Sequence, residues 1–270
     1  MPIARVNGVD LSYECVGEGE PVIFLHGYTG SGDDWKSQVT AIAQKFKAIT
    51  IDQRGHGKSQ APDAEDAYAI PIFSEDAHAL LTMLGITSCC LAGHSMGGFI
   101  ALQFALDYPA MVTRLVLVDT SSGEFEVTPG YAELRITLDE LARTKGMEAA
   151  FEYDAAHNPV RVERFQKHPE LREITRKKMV ATSVDGYIYT PRAFRKWKPV
   201  TGRLGEIRAP ALIFWGEEDT AFYKASKTLE SGLAGSSLIT VPNVGHSPHE
   251  EAPDIFNREL LRFLAETQNQ

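Results

Sequence analysis

Cysteine is scarce in this chain. The three present are Cys15, Cys89 and Cys90. Two of them are adjacent within an apolar, strand-like run, so a disulfide framework is not expected and both read as core packing. No group of cysteines and histidines has the spacing of a zinc site. The phosphate-cradling pattern G-x-x-x-x-G-K-[ST] is missing too, and Gly57-Lys58-Ser59 stands without it. No apolar run reaches the ~20 residues of a membrane span. The start, Met1-Pro2-Ile3-Ala4-Arg5-Val6, lacks the apolar core of a signal peptide, so a cytoplasmic protein is expected. Positive charge is in deficit, with 27 Lys and Arg against 36 Asp and Glu and a net charge of −9. That argues against a general nucleic-acid or anionic-membrane surface.

What is there fits one large domain. The 270 residues suffice for a sizeable core, and 43% hydrophobic with 23% charged residues is ordinary for a globular chain. Apolar β-rich runs alternate with amphipathic helical ones. Residues 9–15 read as an edge strand, and 22–25, 49–52 and 88–92 as further strands. The near-continuous apolar runs 115–118 and 211–215 read as central parallel strands, and 238–241 as the last strand. Residues 72–84 and 253–264 read as helices. Such alternation implies a mostly parallel sheet covered by helices on both faces.

Residues 121–202 break that rhythm. They carry helical patterns at 131–145, 147–156 and 170–180 and no comparable β run. This reads as a helical insertion within a core made of 1–120 and 203–270. Its aromatics suit a cap over an apolar pocket, and Phe151, Tyr153 and Trp197 are the candidate substrate contacts.

The strongest local signal is Gly93-His94-Ser95-Met96-Gly97. A strand-like run precedes it and a helical pattern follows. A serine on such a tight strand-to-helix turn is a nucleophile elbow. Glycine is needed there because a strained turn leaves no room for Cβ atoms near the crossing backbone. The hydroxyl needs a base, and the base an orienting acid. Asp219 follows the apolar run 211–215, and His246 follows the last strand. Both fall at the C-terminal edge of the sheet, where open α/β sheets bind ligands. The order Ser95, Asp219, His246 is the one this elbow type uses. Glu217, Glu218 and Asp119 compete for the acid role; His249 and His94 compete for the base.

An oxyanion hole requires two N–H donors. The backbone N–H of Met96 is one candidate. The loop His26-Gly27-Tyr28-Thr29-Gly30 supplies the other, with Tyr28 as donor and His26 in a structural part. The segment from Asp52 to Ser59 reads mainly as structural, its Asp52 and Arg54 able to bond backbone or each other.

Taken together, His26-Gly27-Tyr28, Asp52-Gln53-Arg54-Gly55-His56-Gly57, Gly93-His94-Ser95-Met96-Gly97-Gly98, Gly216-Glu217-Glu218-Asp219 and Gly245-His246 resemble the α/β-hydrolase fold superfamily. The resemblance implies an eight-stranded, mostly parallel sheet with a helical cap inserted after the sixth strand. It implies a cofactor-independent serine hydrolase that forms an acyl-enzyme. The expected substrate is a small or medium apolar ester or lactone, with no metal, no nucleic-acid partner and no membrane span; a homodimer stays open. Within the superfamily the chain is similar to esterases, enol-lactonases, C–C hydrolases and SHCHC synthases. A C–C hydrolase or synthase-like lyase is therefore the alternative. The synthases typically carry arginine directly after the S-M-G-G run, where this chain has Phe99. Ser95 argues against the haloalkane dehalogenase and epoxide hydrolase branches, which use an aspartate nucleophile. A ligand receptor using the same pocket is the reading outside enzymology.

Overall fold

Short β-branched and aliphatic runs form eight strands: β1 (Ile3–Val6), β2 (Val9–Val16), β3 (Glu20–Leu25), β4 (Phe46–Ile51), β5 (Cys89–His94), β6 (Val112–Val118), β7 (Ala211–Gly216) and β8 (Ser237–Val241). They make one sheet in the order β1-β2-β4-β3-β5-β6-β7-β8. β1 and β2 pair antiparallel, as do β2 and β4; every other neighbouring pair is parallel. The computed structural model describes residues 1–123 and 130–266.

The helices are α1 (Lys36–Ile42), α2 (Ile70–Met83), α3 (Met96–Asp107), α4 (Tyr131–Lys145), α5 (Met147–His157), α6 (Pro159–Lys167), α7 (Glu170–Ala181), α8 (Val184–Lys196), α9 (Tyr223–Gly232), α10 (Pro248–Glu251) and α11 (Pro253–Glu266). Strand residues alternate between two cores. Ile23, Leu25, Leu91, Leu115, Leu117 and Ile213 face Ala77, Leu80 and Leu81 of α2, Ile100 and Phe104 of α3 and Leu229 of α9. Val22, Phe24, Ala92, Val116, Val118 and Phe214 face Ile42 of α1 and Phe256, Leu260 and Leu264 of α11. Burial on both faces explains why the central strands read as unbroken apolar runs.

Five helices, α4 to α8, lie between β6 and β7. They share a small core of Leu138, Ala142, Met147, Ala150, Phe151, Met179, Tyr187 and Ile188. Residues 124–129 of the expected insertion lie outside the described ones.

One expectation about the sheet changes. The strand expected at the edge, 9–15, is second in the sheet, because β1 pairs outside it through Ile3↔Ser12 and Val6↔Val9. With four residues, β1 is too short to show a convincing period. Within α8, Pro191 sits in the helix interior. Proline supplies no N–H, which leaves the carbonyl four residues back without its helical donor. That carbonyl, of Tyr187, accepts the Tyr28 hydroxyl at 2.5 Å.

The chain leaves β3 to one side for β4, then crosses to β5 on the other. The crevice outside β3 and β5 is therefore a topological switch point, the usual place for a ligand in such a sheet. Leu25 lies beside Gly93 across that pair.

Candidate active site

Ser95 joins β5 to α3 with φ 51° and ψ −114°, a strained conformation for a residue bearing Cβ. Its surroundings impose the turn. The Ser95 N–H donates to the Val118 carbonyl at 2.9 Å, and the Ser95 carbonyl accepts the Thr120 hydroxyl at 2.7 Å. A Cβ on Gly97 would lie 2.0 Å from the Leu25 carbonyl oxygen, and one on Gly93 would lie 2.2 Å from the Gly97 carbonyl oxygen. Glycine is thus required by close backbone approach at both positions.

Asp219 follows β7 and His246 follows β8. His246 Nδ1 donates to Asp219 Oδ2 at 2.6 Å, the short contact of a charge-assisted bond. The competing acids are occupied elsewhere. Glu217 accepts the Asn243 N–H at 3.2 Å, and Glu218 faces His168 at 3.6 Å. Asp119 is fully buried and accepts the Gly216 N–H through both oxygens, at 3.1 and 3.2 Å. Burial, and then the charge of Asp219, pushes its carboxyl well above the usual range. Asp119, Asp219 and His246 are, among the described residues, the one trio of metal-ligating side chains whose ligand atoms lie within 4.8 Å of one another. Within this trio, His246 Nδ1 and Asp219 Oδ2 are hydrogen-bonded to each other.

The competing histidines also have other surroundings. His94 Nε2 donates to the His246 carbonyl at 2.6 Å, so it braces the loop that carries His246. His249 is fully buried and stacks on Trp35 at 4.2 Å. Burial holds both imidazoles well below the ordinary histidine value.

The loop after β3 turns back on itself through Gly30 N–H to Gly27 C=O at 3.0 Å. Thr29 has φ 63° there, and its hydroxyl donates to the Tyr28 carbonyl at 2.7 Å. A Cβ on Gly27 would stand 3.3 Å from Ser95 Cβ and 2.7 Å from His94 Nδ1, so this loop lies directly over the elbow. Met96 opens α3, and its N–H has no intrahelical acceptor. Gly27, which precedes Tyr28, and Met96 thus both lie next to Ser95. His26 has the structural part expected of it. Its Nε2 accepts the Gln53 N–H at 2.9 Å and its Nδ1 faces the Gly27 carbonyl at 2.7 Å, tying this loop to the next one.

Asp52 and Arg54 do not meet each other. Asp52 accepts the N–H groups of Gly32 and Lys58 at 2.8 and 2.9 Å. Arg54 holds Asp76 with two bonds of 2.6 Å.

A cavity of about 380 Å³ opens beside Asp219 and His246, and its lining includes His94 and Gly27 next to the elbow but neither Ser95 nor Met96. Gly27, Tyr28, His94, Asp219, Phe222 and His246 contribute from the sheet edge; Tyr131, Val160, Arg161, Arg164, Leu171 and Ile174 contribute from the helices above. The three aromatics expected to touch substrate do not line it. Phe151 is buried in the small core of the inserted helices. Tyr153 stacks on His157 at 3.9 Å. Trp197 stacks on Phe99 at 5.3 Å and donates to Gln103 at 2.8 Å. Aromatic content alone signalled a pocket, whereas in folded helices these rings fill the helix–helix contacts. The charged lining, from Arg161, Arg164 and Lys178, carried no recognisable sequence signal.

This chain belongs to the α/β-hydrolase fold family, whose model matches residues 20–253. It is 32% identical to RutD of Variovorax paradoxus (strain S110), a protein named for carbamate hydrolysis, over 94% of this chain and 96% of that one. It is 29% identical to a Bacillus subtilis (strain 168) protein named as a 2-succinyl-6-hydroxy-2,4-cyclohexadiene-1-carboxylate synthase, over 91% and 90%. Among solved structures it is similar to the enol-lactonase of Burkholderia xenovorans LB400, with TM-score 0.84, 25% identity and coverage of 98% and 100%.

Proposed function

We propose that this protein is a serine hydrolase that cleaves carboxylic esters or lactones through an acyl-enzyme. The observation that carries the reading is the pairing of Asp219 with His246 at the sheet edge where Ser95 stands on its strained turn. His246 takes the Ser95 proton as Oγ attacks the carbonyl carbon, then gives it to the leaving alcohol. Asp219 keeps the proton on His246 Nδ1 and stabilises the imidazolium. The N–H groups of Tyr28 and Met96 receive the oxyanion. His246 then activates water to release the acid. Helices α4 to α8 serve as a cap, and the cavity beneath accepts small to medium substrates.

The test is intact-mass measurement after exposure to a fluorophosphonate, beside a Ser95→Ala control and a panel of p-nitrophenyl esters. One adduct that vanishes in Ser95→Ala, with ester turnover reduced ~10⁴-fold or more in that variant, is expected. Turnover that survives Ser95→Ala overturns the reading. The Bacillus relative's name supports a lyase as the second reading. Against it, Phe99 occupies the position of the synthases' arginine and is packed on Trp197.

A further inference from the structure

The loop that carries His246 is held from both sides by one carboxylate. Glu251, the last residue of α10, accepts the Gly245 N–H at 3.1 Å through Oε2 and the Ser247 N–H at 3.0 Å through Oε1. The two neighbours of His246 are thereby fixed relative to each other. Glu251 is only 11% exposed, and its charge is met by Arg164, 18% exposed, which reaches it from α6. The guanidinium of Arg164 lies close against Gly245. A Cβ on Gly245 would fall 1.8 Å from Arg164 Nη1, so glycine before His246 is needed for this seat.

The preceding residue repeats the device. Glu250 accepts Lys178 Nζ of α7 at 2.6 and 2.7 Å, and Lys178 also reaches Asp34 at 3.1 Å. Two consecutive glutamates of α10 are thus gripped by cations from two different inserted helices. The backbone of His246 is further anchored by His94, and its ring faces Asp219 and Phe222.

We infer that Glu251 is a positioning residue for His246 and that Arg164 makes this positioning depend on how α6 is seated, so that the inserted helices set the competence of the catalytic base. The inference rests on the serine-hydrolase reading for its kinetic consequences, but its structural core does not. Arg164 and Glu251 form a compensated pair of charges that lines the same cavity as His246. Removing either one leaves the other uncompensated, with opposite effects on the protonation of His246.

The experiment follows the His246 ring by NMR in the full protein carrying labelled histidine, the signal being assigned by its loss in His246→Asn. In Arg164→Gln the bare carboxylate favours imidazolium, and the titration moves up relative to the wild-type protein. In Glu251→Gln the bare guanidinium moves it down. The double variant returns close to the starting value. Arg164→Lys retains the charge, so it keeps the wild-type titration. The acid limb of the kcat/KM–pH profile follows the same pattern, and kcat falls by ~10- to 100-fold in both single Gln variants with little change in KM. Shifts of the same sign in both single variants, or unshifted titrations in folded proteins, overturn the inference. If the variants show these shifts while the wild-type protein forms no adduct with a fluorophosphonate, the hydrolase reading alone is overturned.

Discussion

Two aspartates, buried Asp119 and half-buried Asp219, stand near His246, and replacing each by asparagine separates their parts. Asp219 accepts the Nδ1 proton at 2.6 Å. An amide there can present its NH2 group to the ring and favour the wrong tautomer, and it contributes no charge to the imidazolium. Such a replacement in a serine triad costs ~10⁴-fold in kcat, about 5 kcal/mol of barrier. Asp119 is a different case. Its contact is with the Gly216 N–H, and burial together with Asp219 favours its protonated form. A carboxamide retains the shape and one acceptor for that N–H, so Asp119→Asn should cost less than ~10-fold. Steady-state kcat on the best p-nitrophenyl ester, with the rate of fluorophosphonate labelling as a second readout, measures both. The expected gap is about three orders of magnitude. A loss in Asp119→Asn equal to or larger than that in Asp219→Asn would refute the assignment of Asp219 as the acid.

Acid lability is the next expectation. His26, His56, His94 and His249 are all buried, and burial lowers each, His56 to about 3. Neutral in the fold and charged when unfolded below ~6.5, they add stability that is complete above that pH and is lost as the pH falls through it, at about 1.4 kcal/mol per unit for each group. Denaturant midpoints should drop steeply between pH 7.5 and 5.5, and His56→Gln should flatten the slope; equal midpoints at both values would contradict this. Tyr28→Phe is a test of a different kind. The Tyr28 hydroxyl donates to the carbonyl that Pro191 leaves without a helical partner and accepts Arg135 Nη1 at 3.1 Å. Its loss should cost about 1–3 kcal/mol of stability by denaturant titration. Turnover should stay within ~3-fold, since the proposed oxyanion donor is the Tyr28 backbone N–H. A hundredfold loss of kcat at unchanged stability would place the hydroxyl in the chemistry instead.

How much was legible follows from how local each determinant is. The elbow is written in five consecutive residues because the clash it avoids is between atoms of those residues and of the adjacent strand, as Gly93 and Gly97 show. Central strands were legible because both faces are buried, so β6 and β7 need no polar alternation. The candidate acid and base could be located only to a strand end, with Glu217, Glu218, Asp119 and His249 left in contention. A side chain's direction past a turn is decided by contacts such as Gly216 with Asp119 and Trp35 with His249, which join distant parts of the chain. The inserted helices were harder still. α8 keeps its course through Pro191 because a tyrosine 159 positions away in sequence satisfies the freed carbonyl. Nor does an aromatic residue announce whether it lines a cavity or fills a helix contact. Two of the cations that reach the cavity, Arg164 and Lys178, occupy ordinary polar helix positions, and only the fold brings them onto Glu251 and Glu250. Where a pairing spans the core and an insertion, each half of the sequence carries one partner and no trace of the other. The elements that hold the His246 loop are therefore the ones that sequence reading is least equipped to find.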